Sequence, residues 1–215
     1  HLSIRRQRQM CIRDSTSPTP AANAPQDIAP AMDDSLTTGS TVINGQTYRL
    51  SDNVLAVFDP TGTHSIRASL EPLGFAKQTI RPWIVRDWWL ADLPENARSS
   101  PAAIRALAAR VCGRGLFASP VLLDENSAFM VVAPSIEVRF NDLQDLNSPA
   151  FTGSFTGAVR SVDAGAIIVS RRGGDDGRAW LIASSACDGY SVLDQARAMA
   201  AKSPIAAAKP TDPRH

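Results

Sequence analysis

Histidine, the side chain that most often acts as a general base, is scarce in this chain. The 215 residues include only His1, His64 and His215. His64 follows Asp59 in the stretch DPTGTHS, so the pair could orient a serine nucleophile. No serine stands in a nucleophile elbow or before a helix in a glycine-rich setting. We therefore expect no catalytic triad and no enzymatic activity in this chain.

The cysteines also offer little chemistry. Cys187 lies beside Asp188 but has no second histidine to activate it as a nucleophile. Cys112 and Cys187 do not have metal-ligand spacing, and one histidine cannot build a multi-histidine site, so we expect no metal. The two thiols could form a disulfide or stay separate and buried, and the sequence leaves both readings open. No glycine-rich phosphate-binding motif occurs, so we expect no cofactor.

Two further motifs have ordinary structural interpretations. The stretch RRGGDDGR at 171–178 lies between two strand patterns and predicts a hairpin turn rather than a carboxylate site. The tryptophans could stack nucleobases, but they sit inside apolar strand patterns, which favours core packing. These tryptophans are Trp83, Trp88, Trp89 and Trp180. We expect no nucleic-acid partner.

Residues 1–40 differ from the rest of the chain in composition. Residues 1–15 resemble translated sequencing-adapter read-through, so we leave them out of the fold. Without them the formal charge changes from +1 to 18 − 20 = −2, because four arginines and Asp14 are removed. Residues 16–40 are rich in proline and small polar residues, which predicts a disordered linker. No run of eighteen apolar residues occurs, so we expect no membrane partner.

A repeated helix organises the remaining sequence. In the first copy, Ser100 and Pro101 suit a helix start, and an apolar stripe follows before Gly113. In the second copy, Ser191 and Asp194 have capping-box spacing, and Ser203-Pro204 ends the stripe. The segments RALAAR and RAMAAK then align without a gap.

The flanking segments repeat as well. Each helix follows a tryptophan-bearing strand, DWWLADL or RAWLIAS, and precedes a strand that contains alanine, any residue, proline. Each copy opens with a strand ending in phenylalanine, VLAVF or IEVRF. HSIRASLEPLG predicts a short helix broken near Pro72, whereas NSPAFTGSFTGAVRSV has poor helical propensity and predicts only a turn or loop.

These elements predict the α+β class, with two tandem ferredoxin-like (βαββαβ) units whose antiparallel sheets carry helices on one face. The expected boundaries are a first unit at 41–124, a joining hairpin at 125–134 that turns at Asp124–Ser127, and a second unit at 135–212. Alternation in IEVRF places Glu137 and Arg139 on the open face. VLAVF is apolar on both faces, so we expect the first unit's open face to be covered.

This order of elements, with the helix VLDQARAMAAK and a last strand followed by a polar residue, resembles the N-terminal propeptides of subtilisin-like serine peptidases. The family often ends in AEPD, where this chain has AAKPTD, with Lys209 in place of the acid. The family's His-Gly-Thr and Gly-Thr-Ser-Met blocks do not occur. The resemblance implies an intramolecular chaperone and autoinhibitor of a peptidase domain in cis that is missing from this chain, with secreted or periplasmic localisation.

The resemblance also assigns roles to residues. The open face that would contact the peptidase includes Glu137, Arg139, Arg178 and Trp180, and Asp188 would cap a peptidase helix. An inhibitory tail would lie in the active-site cleft, and it comprises Ile205, Ala206, Ala207, Ala208, Lys209, Pro210, Thr211 and Asp212. Two alternatives remain: a tandem ferredoxin-like module that binds a small molecule between its sheets, and a structural or adhesion module.

Overall fold

The computed structural model describes residues 39–140, 148–172 and 179–214. These residues form an α+β structure with antiparallel sheets, as the sequence predicts, and they contain four α-helices. The strands are β1 Ser40–Ile43, β2 Gln46–Phe58, β3 Arg81–Pro82, β4 Trp88–Asp92, β5 Phe117–Leu123, β6 Phe129–Val131, β7 Ser135–Phe140, β8 Ile167–Arg172, β9 Ala179–Ala183 and β10 Ile205–Pro210. The helices are α1 Ile66–Leu70, α2 Pro101–Cys112, α3 Pro149–Val162 and α4 Gly189–Ala200.

The strands form two sheets that share one apolar core. The first sheet has the order β3-β4-β2-β5-β6, with β1 paired to β2, and the second has the order β10-β7-β9-β8. All these pairings are antiparallel. Buried side chains of both sheets belong to a single hydrophobic cluster. The joining hairpin turns at Asp124, whose side chain accepts the backbone N–H groups of Asn126 and Ala128.

The first pair of helices follows its sequence signals closely. Ser100 accepts the Ala103 N–H at 3.1 Å, and Pro101 begins α2. The short helix α1 ends at Leu70, and Pro72 lies in the 3-10 turn that follows it. Both helices therefore begin and end where capping groups and proline place the boundaries.

Helix α3 corrects the expectation of a loop at 149–162. Ser148 accepts the Phe151 N–H at 3.2 Å. One face of the helix is buried, and it consists of Phe151, Phe155 and Val159. Gly153 and Gly157 lie on the other side, where an added Cβ would meet no atom within 4 Å. The burial of three large side chains outweighs the propensity cost of two exposed glycines.

Helix α4 begins earlier than the capping-box spacing predicts. Asp188, rather than Ser191, is the N-cap, and its carboxylate accepts the Ser191 N–H at 2.9 Å and the Ser191 hydroxyl at 2.8 Å. Asp194 lies inside the helix and forms an ion pair with Arg105 of α2. The acidic side chain therefore joins two helices instead of closing a capping box.

The first sheet is covered on both faces. Leu55, Ala56 and Val57 are consecutive in β2 and are all fully buried. Because neighbouring side chains in a strand point to opposite faces, full burial of all three requires cover on each side. On one face Phe58 stacks on Trp88 at 5.3 Å between ring centroids, and Phe117 meets the same tryptophan edge-on. Cover on both faces agrees with the segment VLAVF, which is apolar on both faces of the strand.

A close contact joins the first sheet to the start of α4. Ala118 of β5 forms a parallel bridge with Asp188. At Gly189 an added Cβ would lie 2.7 Å from Pro120 Cδ and 3.1 Å from Ser119 Cα. We call the contact between 118–120 and 187–189 the seam. Only a residue without a side chain lets the helix approach the strand this closely.

A disulfide closes the seam on the solvent side. Cys112, at the end of α2, is bonded to Cys187, and their Cα atoms lie 5.5 Å apart. Cys187 is exposed and Cys112 is partly exposed. The bond therefore fixes the second half against the last helix of the first.

Replacement of Gly189 by alanine tests the seam. We expect Gly189→Ala to lower the free energy of unfolding by about 1–3 kcal/mol, because the new methyl group overpacks against Pro120 and Ser119. Urea unfolding followed by circular dichroism measures the change. The matched control is Gly157→Ala, which should stabilise α3 by roughly 0.5–1 kcal/mol. An unchanged Gly189→Ala protein would contradict the contact.

Removal of the disulfide provides a second test of how the halves are joined. The double variant Cys112→Ser/Cys187→Ser opens a loop whose ends are 75 residues apart in sequence. We expect it to lose about 2–4 kcal/mol of stability, since the unfolded chain gains conformational freedom. Unfolding of the native protein with and without a thiol reductant should show the same difference. Equal midpoints in the two conditions would argue against the bond.

Candidate functional site: the polar face of the second sheet

The side chains of β7 alternate between an apolar face and a polar face of the second sheet. Val138 and Ile136 are fully buried, and Phe140 packs edge-on against Phe151 and Phe155 of α3 at 5.0 and 5.1 Å between ring centroids. Glu137 and Arg139 therefore point to the opposite face, as the alternation in IEVRF predicts.

Strand register shows which residues share this polar face. Glu137 lies between Leu181 of β9 and Lys209 of β10. Arg139 lies between two alanines, Ala179 and Ala207. We define the polar face by these six residues. It combines a small flat apolar surface with two cations and one carboxylate.

Glu137 is the electrostatic centre of the polar face. The residue is buried, and its Oε1 atom lies 3.2 Å from both Lys209 Nζ and Arg139 Nε. Burial alone would raise the pKa of Glu137, but hydrogen bonds and charge attraction from Lys209 and Arg139 hold the pKa below its ordinary value. The carboxylate therefore stays ionised near neutral pH and positions both cations.

The two cations remain available to solvent to different degrees. The side chain of Arg139 is 55% exposed and that of Lys209 is 34% exposed, whereas that of Glu137 is 8% exposed. The solvent-facing groups of this cluster are therefore positive. Such a surface can bind carboxylates or the C-terminal ends of helices.

Trp180 does not lie on the polar face, where the resemblance to propeptides placed it. Its ring packs against Phe155 of α3 at 5.3 Å and against Phe140 at 6.4 Å, so it lies on the apolar face. Trp180 pairs in register with Val138, and the two residues therefore share a side of the sheet. The tryptophan supports the core and does not face a partner.

Of the other expected contact residues, Arg178 lies outside the described residues. Asp188 is not one of the polar-face residues. Its carboxylate caps α4, and its backbone bridges to Ala118. It therefore serves the chain's own helix at the seam rather than the helix of another domain.

The segment Ile205–Asp212, expected as an inhibitory tail, is integrated into the sheet. Ile205–Pro210 is β10, which pairs with β7. Thr211 continues the pairing by donating its N–H to the Ser135 carbonyl at 3.0 Å. Asp212 is buried and forms a bidentate ion pair with Arg214, whose guanidinium lies over the Trp83 ring. A role in a cleft would require this strand to leave the sheet.

Lys209 is the residue that sequence reasoning placed in the wrong context. It stood out only as a departure from the acidic residue of the propeptide tail, whereas the structure places it on the polar face opposite Glu137. The sequence predicts IAAAKP as a strand, but the pairing of Lys209 with Glu137 depends on the strand register, which the sequence does not display.

The Asp59–His64 pair is the other candidate site. Asp59 accepts the backbone N–H groups of Thr61 at 2.9 Å and His64 at 2.6 Å, and its Oδ1 lies 3.2 Å from His64 Nδ1. Ser65, the nearest serine in sequence, accepts the Ala68 N–H at the start of α1. The carboxylate thus closes its own loop, and the imidazole's hydrogen-bond partners in the described part of the chain are Thr61, Thr63 and Asp59.

Residues 39–140, 148–172 and 179–214 contain neither a metal site nor a membrane-spanning helix. No group of three histidine, cysteine or acidic side chains in these ranges is arranged to hold a metal ion. No helix among the described residues has the length and apolar character needed to cross a membrane.

In comparisons with known proteins, no protein-family model matches the sequence, and no curated protein matches it.

The loop at Asp59 predicts a pH-dependent contribution to stability. Burial would raise the pKa of Asp59, but hydrogen bonds from His64 and Thr61 hold it well below the ordinary value of 3.8. A carboxylate with a lowered folded-state pKa stabilises the protein fully above the unfolded pKa, and the contribution disappears as the pH falls through the folded pKa.

We therefore expect Asp59→Asn to cost about 1–3 kcal/mol at pH 7. The cost should shrink below about pH 4, where the unfolded-state carboxyl becomes protonated. Denaturant unfolding between pH 7 and pH 2.5 measures the profile. Asp52→Asn, at an exposed carboxylate, is the control. A cost for Asp59→Asn that is independent of pH would contradict this role.

Proposed function

We propose that the two halves of this chain are tandem ferredoxin-like units. Each half has the chain order strand, helix, strand, strand, helix, strand. In its sheet the four strands lie side by side in the order fourth, first, third, second. This order is β5-β2-β4-β3 in the first half and β10-β7-β9-β8 in the second. Repetition of both the element order and the strand order supports the proposal.

The tryptophans support the same repeat. Trp89 and Trp180 lie in the third strand of their respective halves. Trp89 lies under Arg67 of α1 at 5.4 Å, and Trp180 packs against Phe155 of α3. In each half the tryptophan of the third strand therefore contacts the first helix.

We further propose that the chain acts as a propeptide of a subtilisin-like serine peptidase, an intramolecular chaperone and inhibitor of a catalytic domain that this chain does not contain. The proposal rests on the resemblance of the element order and of the helix VLDQARAMAAK to that family. The observation that carries it is the difference between the sheets: the first is buried on both faces, whereas the second presents Arg139 and Lys209 to solvent.

The polar face would act as the docking surface for the peptidase. A rigid sheet that is already folded can order the helices of a larger domain and lower the barrier set by its many non-local contacts. Ala207 is partly exposed and adds only a methyl group to the surface, and the two cations at Glu137 provide charge at fixed positions. Inhibition then depends on this docking and not on a free tail formed by Ile205–Asp212, because Ile205–Pro210 form β10 and Thr211 continues its pairing.

A second candidate function is the binding of a small molecule between the sheets. A cavity of about 270 Å³ lies at the seam and is lined by residues of both halves. Its walls include Phe117, Pro134, Ala186 and the disulfide Cys112–Cys187. A metabolite that raises the melting temperature of the chain, and fails to do so in a variant with Ala186→Trp, would favour this function.

Inhibition of a subtilisin-like peptidase by the full chain tests the propeptide proposal. We expect the native chain to slow such a peptidase at micromolar concentration. Ala207→Arg should weaken inhibition by about tenfold or more, because a bulky side chain on the flat surface prevents close docking. Steady-state kinetics with a chromogenic peptide substrate measure the inhibition constant.

The controls separate docking from folding. Arg86→Ala changes a side chain that is 94% exposed in the first half, and it should leave the inhibition constant unchanged. Thermal unfolding of each variant verifies that the fold is intact. If the native chain fails to inhibit a panel of subtilisin-like peptidases, or if Ala207→Arg inhibits equally well, the proposed docking face is wrong. Sequencing of the gene around this segment provides an independent test, since catalytic Asp, His and Ser blocks downstream would establish the class.

A further inference from the structure

We propose that the outer edge of β8 binds an extended, acid-bearing segment of a partner polypeptide by strand addition. This edge lies one strand beyond Leu181 and Ala179, the β9 residues of the polar face, and the proposal does not depend on the propeptide function. Strand β8 pairs with β9 on one side. On its other side, no strand within the described part of the chain pairs with it. Its outward backbone groups can therefore hydrogen-bond to an added strand.

The side chains of this edge are unusually apolar for a solvent-facing strand. Ile167 is 66% exposed and Val169 is 56% exposed. Both are large β-branched residues, which pack well on a neighbouring strand but gain nothing from contact with water. An added strand would cover them.

The other strand edges are protected, which makes β8 distinctive. Strands β3, β6 and β1 have two, three and four residues. Strand β10 carries Lys209 and ends in Pro210. Strand β8 has six residues without proline, and Ile167–Ser170 includes no charge. Its pairing with β9 shifts register between Ile168 and Ser170, so Val169 lies in a bulge. Natural proteins usually block long apolar edges with charges or proline, and an edge whose first four residues carry neither favours an added partner strand.

The neighbouring helix leaves room for that partner. A groove between α3 and β8 is lined by Thr156, Arg160 and Ile167. Gly153 and Gly157 lie on the exposed side of α3, and neither has an atom within 4 Å of an added Cβ. No bulky side chain at these two positions obstructs an approaching backbone.

Charge selects the partner. Arg160 is exposed beside the groove. Between Pro149 and Ile168 the sole acidic residue is Asp163, which is buried and hydrogen-bonded to Ser184 and Ser185. A second copy of the chain would bring another Arg160 to this edge. A segment that alternates apolar and acidic residues instead complements both the apolar side chains and Arg160.

A synthetic probe tests the proposal on the full chain. The probe is a labelled octapeptide that alternates valine with glutamate, and the comparison peptide replaces each glutamate by lysine. We expect the acidic peptide to bind in fluorescence anisotropy. Hydrogen exchange at Ile167–Ser170 should slow in its presence and stay unchanged at β3. The lysine peptide should bind at least about tenfold more weakly.

Variants distinguish strand addition from simple charge attraction. Val169→Lys places a blocking charge at the exposed edge and should weaken binding about tenfold, whereas Val42→Lys, at a 51% exposed valine of β1, should not. Arg160→Glu should reverse the preference between the two peptides.

Each of three results would overturn the proposal. The first is an absence of exchange protection in β8 with the acidic peptide. The second is equal binding of the two peptides by the native chain. The third is a concentration-dependent dimer that protects β8 without any peptide, which would make a second copy the occupant.

Discussion

The seam between β5 and the start of α4 is the contact on which the rest of the structure depends. Gly189 brings a helix of the second half within van der Waals contact of a strand of the first, and Asp188 both caps that helix and extends the strand's pairing. Because neither half is separated from the other by solvent here, the two sheets bury their side chains in one cluster. The seam and the shared cluster therefore join the two sheets directly.

The difference between the sheets follows from this arrangement. The first sheet is covered on both faces, so its apolar side chains are buried on each. The aromatic cluster of Phe58, Trp88 and Phe117 packs on one of these faces. The second sheet carries its large aromatic side chains on the face of Phe140. On the other face Glu137 is buried and pairs with Arg139 and Lys209, so the solvent-facing groups of this cluster are positive.

Local signals predicted much of the fold, and packing decided the remainder. The start of α2, the break at Pro72 and the turn at Asp124 depend on caps and turn residues, which act over a few positions and can be recognised in sequence. Helix α3 could not be recognised in this way, because its glycines lower propensity while the phenylalanine stripe gains its stability only from the sheet beneath it. The place of Lys209 depended on strand register, which arises from pairing between distant segments. Trp180 faces the core for the same reason.

The disulfide has a consequence for the order of events during synthesis. Cys112 leaves the ribosome 75 residues before Cys187. Cys112 therefore keeps a free thiol until β7, α3, β8 and β9 have been translated. The pair can be oxidised at that point, while α4 and β10, which complete the second half, are still to be synthesised.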